Sequence, residues 1–359
     1  MIVSRTPFRI SFFGGGTDYP AWYRQHGGAV LATSIDKYCY LTCRHLPPFF
    51  EHRIRVVYSK VEECHTVDEL AHPSAREVLR FMHIERGIEV HHDGDLPARS
   101  GMGSSSAFTV GLLQALHALK GQMASKEQLA AESIHIEQNV LKETVGSQDQ
   151  VLAAHGGFNH VTFDCNGEII VRPMTLPRER VQLLNDHLML FYTGIKRTAS
   201  DVAKSYVADI DSKKRQLQTM SHLVEECVSL LNSDKDLNGF GKLLHEAWQA
   251  KRSLSAAVTN SDVDTIYDAA RSAGALGGKL TGAGGGGFML LFAPPDRHDT
   301  IRECLNKLLH VPFKFEFAGS QVIFFDQGED YSAAEMARAK QSIRAFRELT
   351  HAQSQEKIS

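Results

Sequence analysis

Between an extended run, Ile88–His92, and an apolar helical pattern, Phe108–Leu119, the chain carries Pro97-Ala98-Arg99-Ser100-Gly101-Met102-Gly103-Ser104-Ser105-Ser106-Ala107. No other stretch limits the fold as strongly. Glycine reaches positive φ and lets backbone come close to a neighbour or a ligand. Serines at a helix start supply caps and hydroxyls. The first N–H groups of a helix have no acceptor inside it and lie at the positive end of its dipole. Strand, glycine turn and helix in succession therefore make a cradle for a negative group such as a polyphosphate. A plain glycine turn with a serine cap has the same sequence, and the stretch alone leaves both readings open.

Two other glycine clusters compete for that role. Gly282-Ala283-Gly284-Gly285-Gly286-Gly287 fits the spacing GxGxxG, but a dinucleotide fold needs a helix after that motif. Here an apolar strand pattern follows, Phe288–Phe292, which counts against a nicotinamide cofactor. A Walker loop needs GxxxxGK[ST], and Gly277-Gly278-Lys279-Leu280 fails at the last position. The remaining cluster, Gly14-Gly15-Gly16-Thr17-Asp18, ends the strand pattern Ile2–Phe13. It can present Asp18 to a small ligand, or Asp18 can cap a helix over Pro20–Gln25.

With 359 residues the chain can hold two units with a sizeable core. A net charge of −3 gives no field for nucleic acid. The N-terminus lacks the charge and apolar run of a secretory signal, and no stretch approaches the ~20 apolar residues of a membrane span. The expected place is the cytoplasm, with the scattered Cys39, Cys43, Cys64, Cys165, Cys227 and Cys304 as buried reduced thiols.

Strands are expected at Ala29–Ser34, Tyr38–Arg44 and Arg53–Val57, the last two as antiparallel neighbours, and helices over Val67–Met82, broken at Pro73, and Ser125 to Glu143. Asn166-Gly167 between two β-rich runs predicts a hairpin, Phe158–Pro173. A boundary falls at Pro177–Gln182, so the units are 1–178 and 179–328, followed by a helical tail, 329–359. The second unit reads as a strand, His187–Thr193, long helices over Ala199–Asn232 and Leu237–Ala257, and a helix Asp262–Ser272 capped by Ser261. Strands flank the glycine run, a helix follows over Arg297–Leu309, and strands Lys314–Phe317 and Gln321–Phe325 complete the unit. The class is α+β, with helices on one face of a mostly antiparallel sheet.

Four motifs in order carry a family resemblance: Pro7-Phe8-Arg9-Ile10 through Tyr19, Pro97 through Ala107, Gly146-Ser147-Gln148-Asp149-Gln150, and Lys279-Leu280-Thr281 through Gly287. Together they resemble the galactokinase, homoserine kinase, mevalonate kinase and phosphomevalonate kinase (GHMP) superfamily. The resemblance implies a two-domain fold: an N-terminal domain with a left-handed βαβ unit and a ferredoxin-like C-terminal domain. It implies ATP and Mg²⁺ in the cleft between them. Residue by residue, Asp149 matches the catalytic aspartate and Arg9 its basic partner. Pro97, Gly101, Met102, Gly103, Ser104, Ser105 and Ser106, with Thr281 and Gly282, match the ATP site. Ser105 and Glu137 match the Mg²⁺-binding pair. Gly15, Gly16, Thr17 and Asp18, with Asp149, Thr193, Gly194 and Gly284, match the substrate side.

Galactokinases read Gly-Glu-His-Thr-Asp-Tyr where this chain has Gly14-Gly15-Gly16-Thr17-Asp18-Tyr19. Replacing Glu and His by two glycines removes bulk and negative charge, which implies a longer sugar or one bearing phosphate. Lys196 and Arg197, after a strand, are candidates to meet that phosphate, or form a solvated loop. The first motif is most similar to the branch of D-glycero-D-manno-heptose 7-phosphate kinases, which implies transfer to an anomeric hydroxyl. Another sugar, or an ATP- and sugar-binding regulator without turnover, is the alternative. The expected partners are thus a sugar phosphate and ATP, without nucleic acid or membrane, and homo-oligomerisation is left open.

Overall fold

The computed structural model describes residues 1–50, 52–84, 86–98, 100–195, 199–326, 328 and 331–340. The first unit contains β1 (Ile2–Phe13), α1 (Pro20–His26), β2 (Gly28–His45), β3 (Ile54–Val57), β4 (Val61–Cys64), α2 (Pro73–Phe81) and β5 (Ile88–Gly94). It continues through α3 (Ser104–Leu119), α4 (Lys126–Ile134), α5 (Gln148–His155), β6 (Phe158–Phe163) and β7 (Ile169–Pro173). The second runs through α6 (Arg178–Asp186), β8 (Leu188–Tyr192), α7 (Ala199–Val207), α8 (Lys214–Leu231), α9 (Asn238–Arg252) and α10 (Ser261–Ser272). It ends with β9 (Gly277–Leu280), β10 (Phe288–Phe292), α11 (His298–Cys304) and β11 (Leu309–His310). The chain finishes with β12 (Phe315–Glu316), β13 (Gln321–Phe325) and α12 (Ser332–Ala339).

The long strand β2 organises the first sheet. It pairs with β1 along most of its length, with β6 through Gly28–Thr33 and with β5 through Cys39–His45. Two separate strands were expected here because Asp36 and Lys37 interrupt the apolar pattern. The ladder instead slips between Pro7 and Phe8, so that Pro7 pairs with Tyr38 and Phe8 with Ile35. Such an irregularity tolerates a proline that cannot donate to the ladder. Arg53–Val57 is not the neighbour of β2: β5 lies between them, and β3 pairs with β5 in parallel. Helix α3 is buried along most of its length, and at Gly111 it lies so close to β1 that Ser4 Oγ donates to its carbonyl at 2.8 Å. A Cβ at Gly111 would lie 2.8 Å from Thr6 Oγ1.

In the second unit the order β8, helices, β9, β10, α11, β11 folds into an antiparallel sheet with strand order β11-β8-β10-β9. This is the ferredoxin-like arrangement. Strands Phe315–Glu316 and Gln321–Phe325 do not complete this unit. β12 pairs with β2 and β13 with β1, so both return to the first sheet. Inter-strand pairing depends on distant partners, which local patterning does not name.

Smaller departures have local causes. The Ala199–Asn232 pattern breaks into α7, a 3₁₀ turn over Ile210–Lys213 and α8. Asn260, not Ser261, caps α10, accepting from the N–H groups of Asp262 and Val263. The helix at Arg297–Leu309 stops at Cys304, and Leu309 joins a strand. Cys165 and Cys304 are exposed, unlike the other four cysteines. Of the helical tail, α12 is described, and 341–359 lies outside the described residues. Among the described residues no helix is long and apolar enough to cross a membrane.

The units share apolar and polar contacts. Phe240 of α9 packs edge-on against Phe12 and Phe13 at the end of β1, with ring centroids 5.4 and 5.2 Å apart. Lys279 of β9 donates to the carbonyls of Ser11 and Phe12 at 2.8 and 2.9 Å. These contacts fix the loop after β1 between the two units.

Candidate active site

Arg9 lies on β1 just before that loop and is buried. Its Nε and Nη2 donate to Asp149 Oδ1 and Oδ2, both at 2.7 Å, and Nη1 donates to the Gly101 carbonyl at 2.7 Å. A guanidinium fork on a carboxylate fixes both groups in one plane and is a strong charge-assisted pair. Asp149 stands in the first turn of α5, and its side chain keeps 27 % of its surface exposed. One salt bridge thus ties β1, α5 and the Gly101 loop together and leaves a carboxylate facing outward.

Asp18 is the second carboxylate of the site. It does not cap α1. Its Oδ1 accepts from the Gly16 N–H at 2.9 Å and its Oδ2 from the Gln148 N–H at 3.3 Å, while its carbonyl accepts from Ser147 N–H at 3.0 Å. Burial raises its pKa, and the Asp149 charge raises it further, while the two backbone N–H groups oppose this. The Gly14–Asp18 turn and the Gly146–Asp149 turn meet so closely that a Cβ on Gly146 would lie 1.8 Å from Asp18 Oδ2. Thr17 Oγ1 donates to the carbonyls of Gly14 and Ala29, holding the turn. Around Asp18, Ser11 Oγ and Gln148 Oε1 are buried without a hydrogen-bond partner. Buried polar atoms are seldom left so unless something else binds there.

Helix α3 does not have a serine cap. Its N-cap is Gly103, in the left-handed region (φ 75°, ψ 26°), with no side-chain cap bond. That geometry favours the anion cradle over the ordinary capped turn. Ser106 Oγ donates to Glu137 Oε2 at 2.9 Å, and Gln150 Nε2 donates to the same oxygen. The serine brought to Glu137 is therefore Ser106, while Ser105, the serine expected there, is exposed at the helix start. Ser104 is half-buried beside it, and Pro97 is exposed at the loop entrance.

Glu137 was expected on a continuous α-helix. It lies instead in a π-helical turn, His135–Val140, a widening that often marks functional sites. Its Oε1 is buried with no partner. Burial pushes its carboxyl up to about 7 from 4.5, and the hydrogen bonds from Ser106 and Gln150 offset part of that. An acid with a raised folded-state pKa stabilises the fold fully below about pH 4.5, and that contribution is lost as pH rises through 7. Glu137→Gln should therefore leave the ligand-free melting temperature nearly unchanged at about pH 5. At about pH 8 it should raise it, by the equivalent of up to ~3 kcal/mol. A lower melting temperature at pH 8 would overturn this.

The second unit closes the site with backbone and two lysines. A Cβ on Gly282 would lie 2.6 Å from Gly101 Cα, and one on Gly287 would lie 2.1 Å from the Ser100 carbonyl. The glycine run thus packs backbone to backbone on the α3 loop, and Thr281 Oγ1 and Ser100 Oγ are buried there without partners. Thr193 donates to the Gly287 carbonyl through both its N–H and its hydroxyl, and a Cβ on Gly284 would lie 2.7 Å from the Val258 carbonyl. Thr193 and Val258 thus support the run inside the second unit, while Gly194 is exposed, with open space where a Cβ would be. Lys196 and Arg197 lie outside the described residues. The sequence reading missed Lys251, which is buried and donates to the Gly282 carbonyl. The signal was present: Phe240, Leu244, Ala247, Trp248 and Lys251 share the inner face of α9, and a lysine on an apolar stripe is out of place.

Residues 69–157 match the GHMP kinases N terminal domain and residues 223–311 the GHMP kinases C terminal model. The chain is 27% identical over 317 residues to the D-glycero-alpha-D-manno-heptose 7-phosphate kinase of Campylobacter jejuni, covering 85% of this chain and 93% of that one. It is 31% identical over 217 residues to a mevalonate kinase of Pyrococcus horikoshii, 58% of this chain and 60% of that one. Its fold is that of a solved D-glycero-D-manno-heptose 1-phosphate kinase from Bacteriodes thetaiotaomicron, with a TM-score of 0.75 at 23% identity over 91% of this chain and 100% of that one. A Lactococcus lactis galactokinase, solved with galactose, superposes with a TM-score of 0.69 at 18% identity over 89% and 94%. The chain therefore belongs to the GHMP kinase family, and it is a kinase.

Proposed function

We propose that the protein transfers the γ-phosphoryl group of ATP to the anomeric hydroxyl of a sugar phosphate, D-glycero-D-manno-heptose 7-phosphate, giving the 1,7-bisphosphate on a route to nucleotide-activated heptose. One observation carries this reading: the Asp149 carboxylate, locked by Arg9 and partly exposed, stands beside Gly103 at the N-terminus of α3. A base next to a phosphate cradle is what phosphoryl transfer to a hydroxyl needs, because positioning and charge neutralisation supply most of the catalysis. Asp149 orients and deprotonates the acceptor hydroxyl, and Arg9 stabilises charge on the transferring group. On this reading Asp18 accepts from sugar hydroxyls, and Gly15 and Gly16, in place of two larger side chains, form the part of the turn that faces the acceptor. The resemblance to the Campylobacter jejuni kinase supports the heptose phosphate as acceptor.

The residues fit Mg²⁺. Glu137 Oε1 is a buried carboxylate oxygen without a partner, next to the Ser106 hydroxyl. Hard oxygen donors suit that ion, which keeps waters and shares phosphate oxygens. Glu137 and Ser106 would hold it, with Ser105 exposed to the same helix start. When bound, it neutralises charge on the nucleotide phosphates.

Incubation with ATP and a panel of sugars tests the proposal. The expected result is turnover of D-glycero-D-manno-heptose 7-phosphate at a kcat/KM at least about 100-fold above that for galactose, fucose or mannose, a ratio within reach of one well-placed polar contact set. Efficient turnover of an unphosphorylated sugar, with none of the heptose phosphate, would overturn it.

A further inference from the structure

Lys251 is a cation where the packing asks for an apolar side chain. It continues the inner face of α9 after Phe240, Leu244, Ala247 and Trp248, and it is 4% exposed. An ammonium has three N–H donors. Its one acceptor among the described residues is the Gly282 carbonyl, and it makes no ion pair there. The charged groups facing it are Arg9 on β1, Asp18 in the turn after β1, Asp149 on α5 and Lys279 on β9. Both carboxylates are already engaged, Asp149 by the Arg9 fork and Asp18 by two backbone amides. With all five groups ionised, three cations stand against two anions. A buried ammonium in that state is costly to keep unless an anion joins it.

The acceptor of Lys251 locates that anion. Gly282 lies against Gly101, and the Gly101 carbonyl also receives Arg9 Nη1. Lys251 and Arg9 therefore approach the same point of the phosphate loop from opposite units. Lys279 is different: its ammonium bridges the carbonyls of Ser11 and Phe12, which is a structural task.

We propose that Lys251 is a catalytic residue whose ammonium contacts the phosphoryl group as it passes from nucleotide to acceptor. This rests on the kinase reading of the site. It adds a point charge from the second unit to the Arg9 fork from the first, so charge on the transferring group is met from both sides of the cleft. Burial holds the Lys251 ammonium down to about 8 in the ligand-free chain, with Arg9 lowering it and Asp18 and Asp149 raising it. A bound polyphosphate raises it again, so binding at about pH 9 takes up a proton.

The test compares the full chain with Lys251→Met, and with Lys251→Gln in case methionine disturbs the packing. Removing one preorganised charge should lower kcat by about 100- to 1,000-fold. The affinity for a non-hydrolysable ATP analogue at pH 7 should fall by about tenfold or less, since the contact is strongest in the transition state. Calorimetry of the analogue at about pH 9, in two buffers of different ionisation enthalpy, should show proton uptake by the parent and none by the variants. The melting temperature of the variants should not fall, because an unpaired buried charge has been removed. Variants that keep kcat within threefold, or show the same proton uptake as the parent, overturn the assignment. If the parent phosphorylates none of the sugars tested, the acceptor reading is what fails, and the calorimetric comparison still decides Lys251.

Discussion

Asp149→Asn is expected to fold, to bind nucleotide as the parent does, and to lose about 1,000-fold in kcat, within the range that general-base removal gives. The geometry explains the size. Asparagine keeps one oxygen for one arm of Arg9, but turns an NH₂ group toward the other arm, donor against donor. The variant therefore loses the proton acceptor and loosens the fork that holds Arg9. On the proposed reading the nucleotide is held at the start of α3, so its binding should survive. Steady-state rates with a direct binding measurement separate the two effects. Equal kcat in variant and parent would remove Asp149 from the chemistry, and loss of nucleotide binding would make its role structural.

Gly146→Ala should also be damaging, though less so, through one methyl group. The added carbon would lie 1.8 Å from Asp18 Oδ2, far inside contact distance, so one of the two turns must move. Asp18 is buried and held by the amides of Gly16 and Gln148, so a shift breaks those bonds or pushes the carboxylate aside. A misplacement of about 1 Å at such a site costs on the order of 100-fold in kcat/KM. The loss should fall on the sugar, with KM for the acceptor rising and nucleotide affinity changing little. A variant with parental acceptor kinetics would show that Asp18 has no part in holding the sugar.

The strands, caps and glycine turns legible in the sequence were those whose cause is local. The Phe158–Pro173 hairpin follows from Asn166-Gly167, and the α4 start from Ser125, whose hydroxyl accepts from Gln128 N–H. Arg9 and Asp149 are 140 residues apart, and only the family pattern brought them together before the salt bridge did. The unread features depend on distant partners. Nothing near Gln321–Phe325 says that β1 is waiting for it. Nothing near Ser106 says that a π-turn will deliver Glu137 to it rather than to Ser105. Lys251 was hidden differently, since lysines near helix ends are common and favourable there. Its burial becomes unusual only once α9 is seen against the glycine run.

The return of β12 and β13 to the first sheet has a consequence for how the protein is made. Ile2 pairs with Phe325 and Thr6 meets Ser320 through their hydroxyls at 2.8 Å, so the opening strand lacks one edge until the ribosome has delivered residues near 325. The first unit cannot finish ahead of the other during synthesis, as successive domains usually do. The whole second unit is spliced into the first as a long insertion, anchored by an incoming and an outgoing strand. Shortening the chain before Gln321 would therefore strip the outer edge from Ile2–Arg5, the start of the strand that carries Arg9, and leave β2 as its one ladder partner among the described strands.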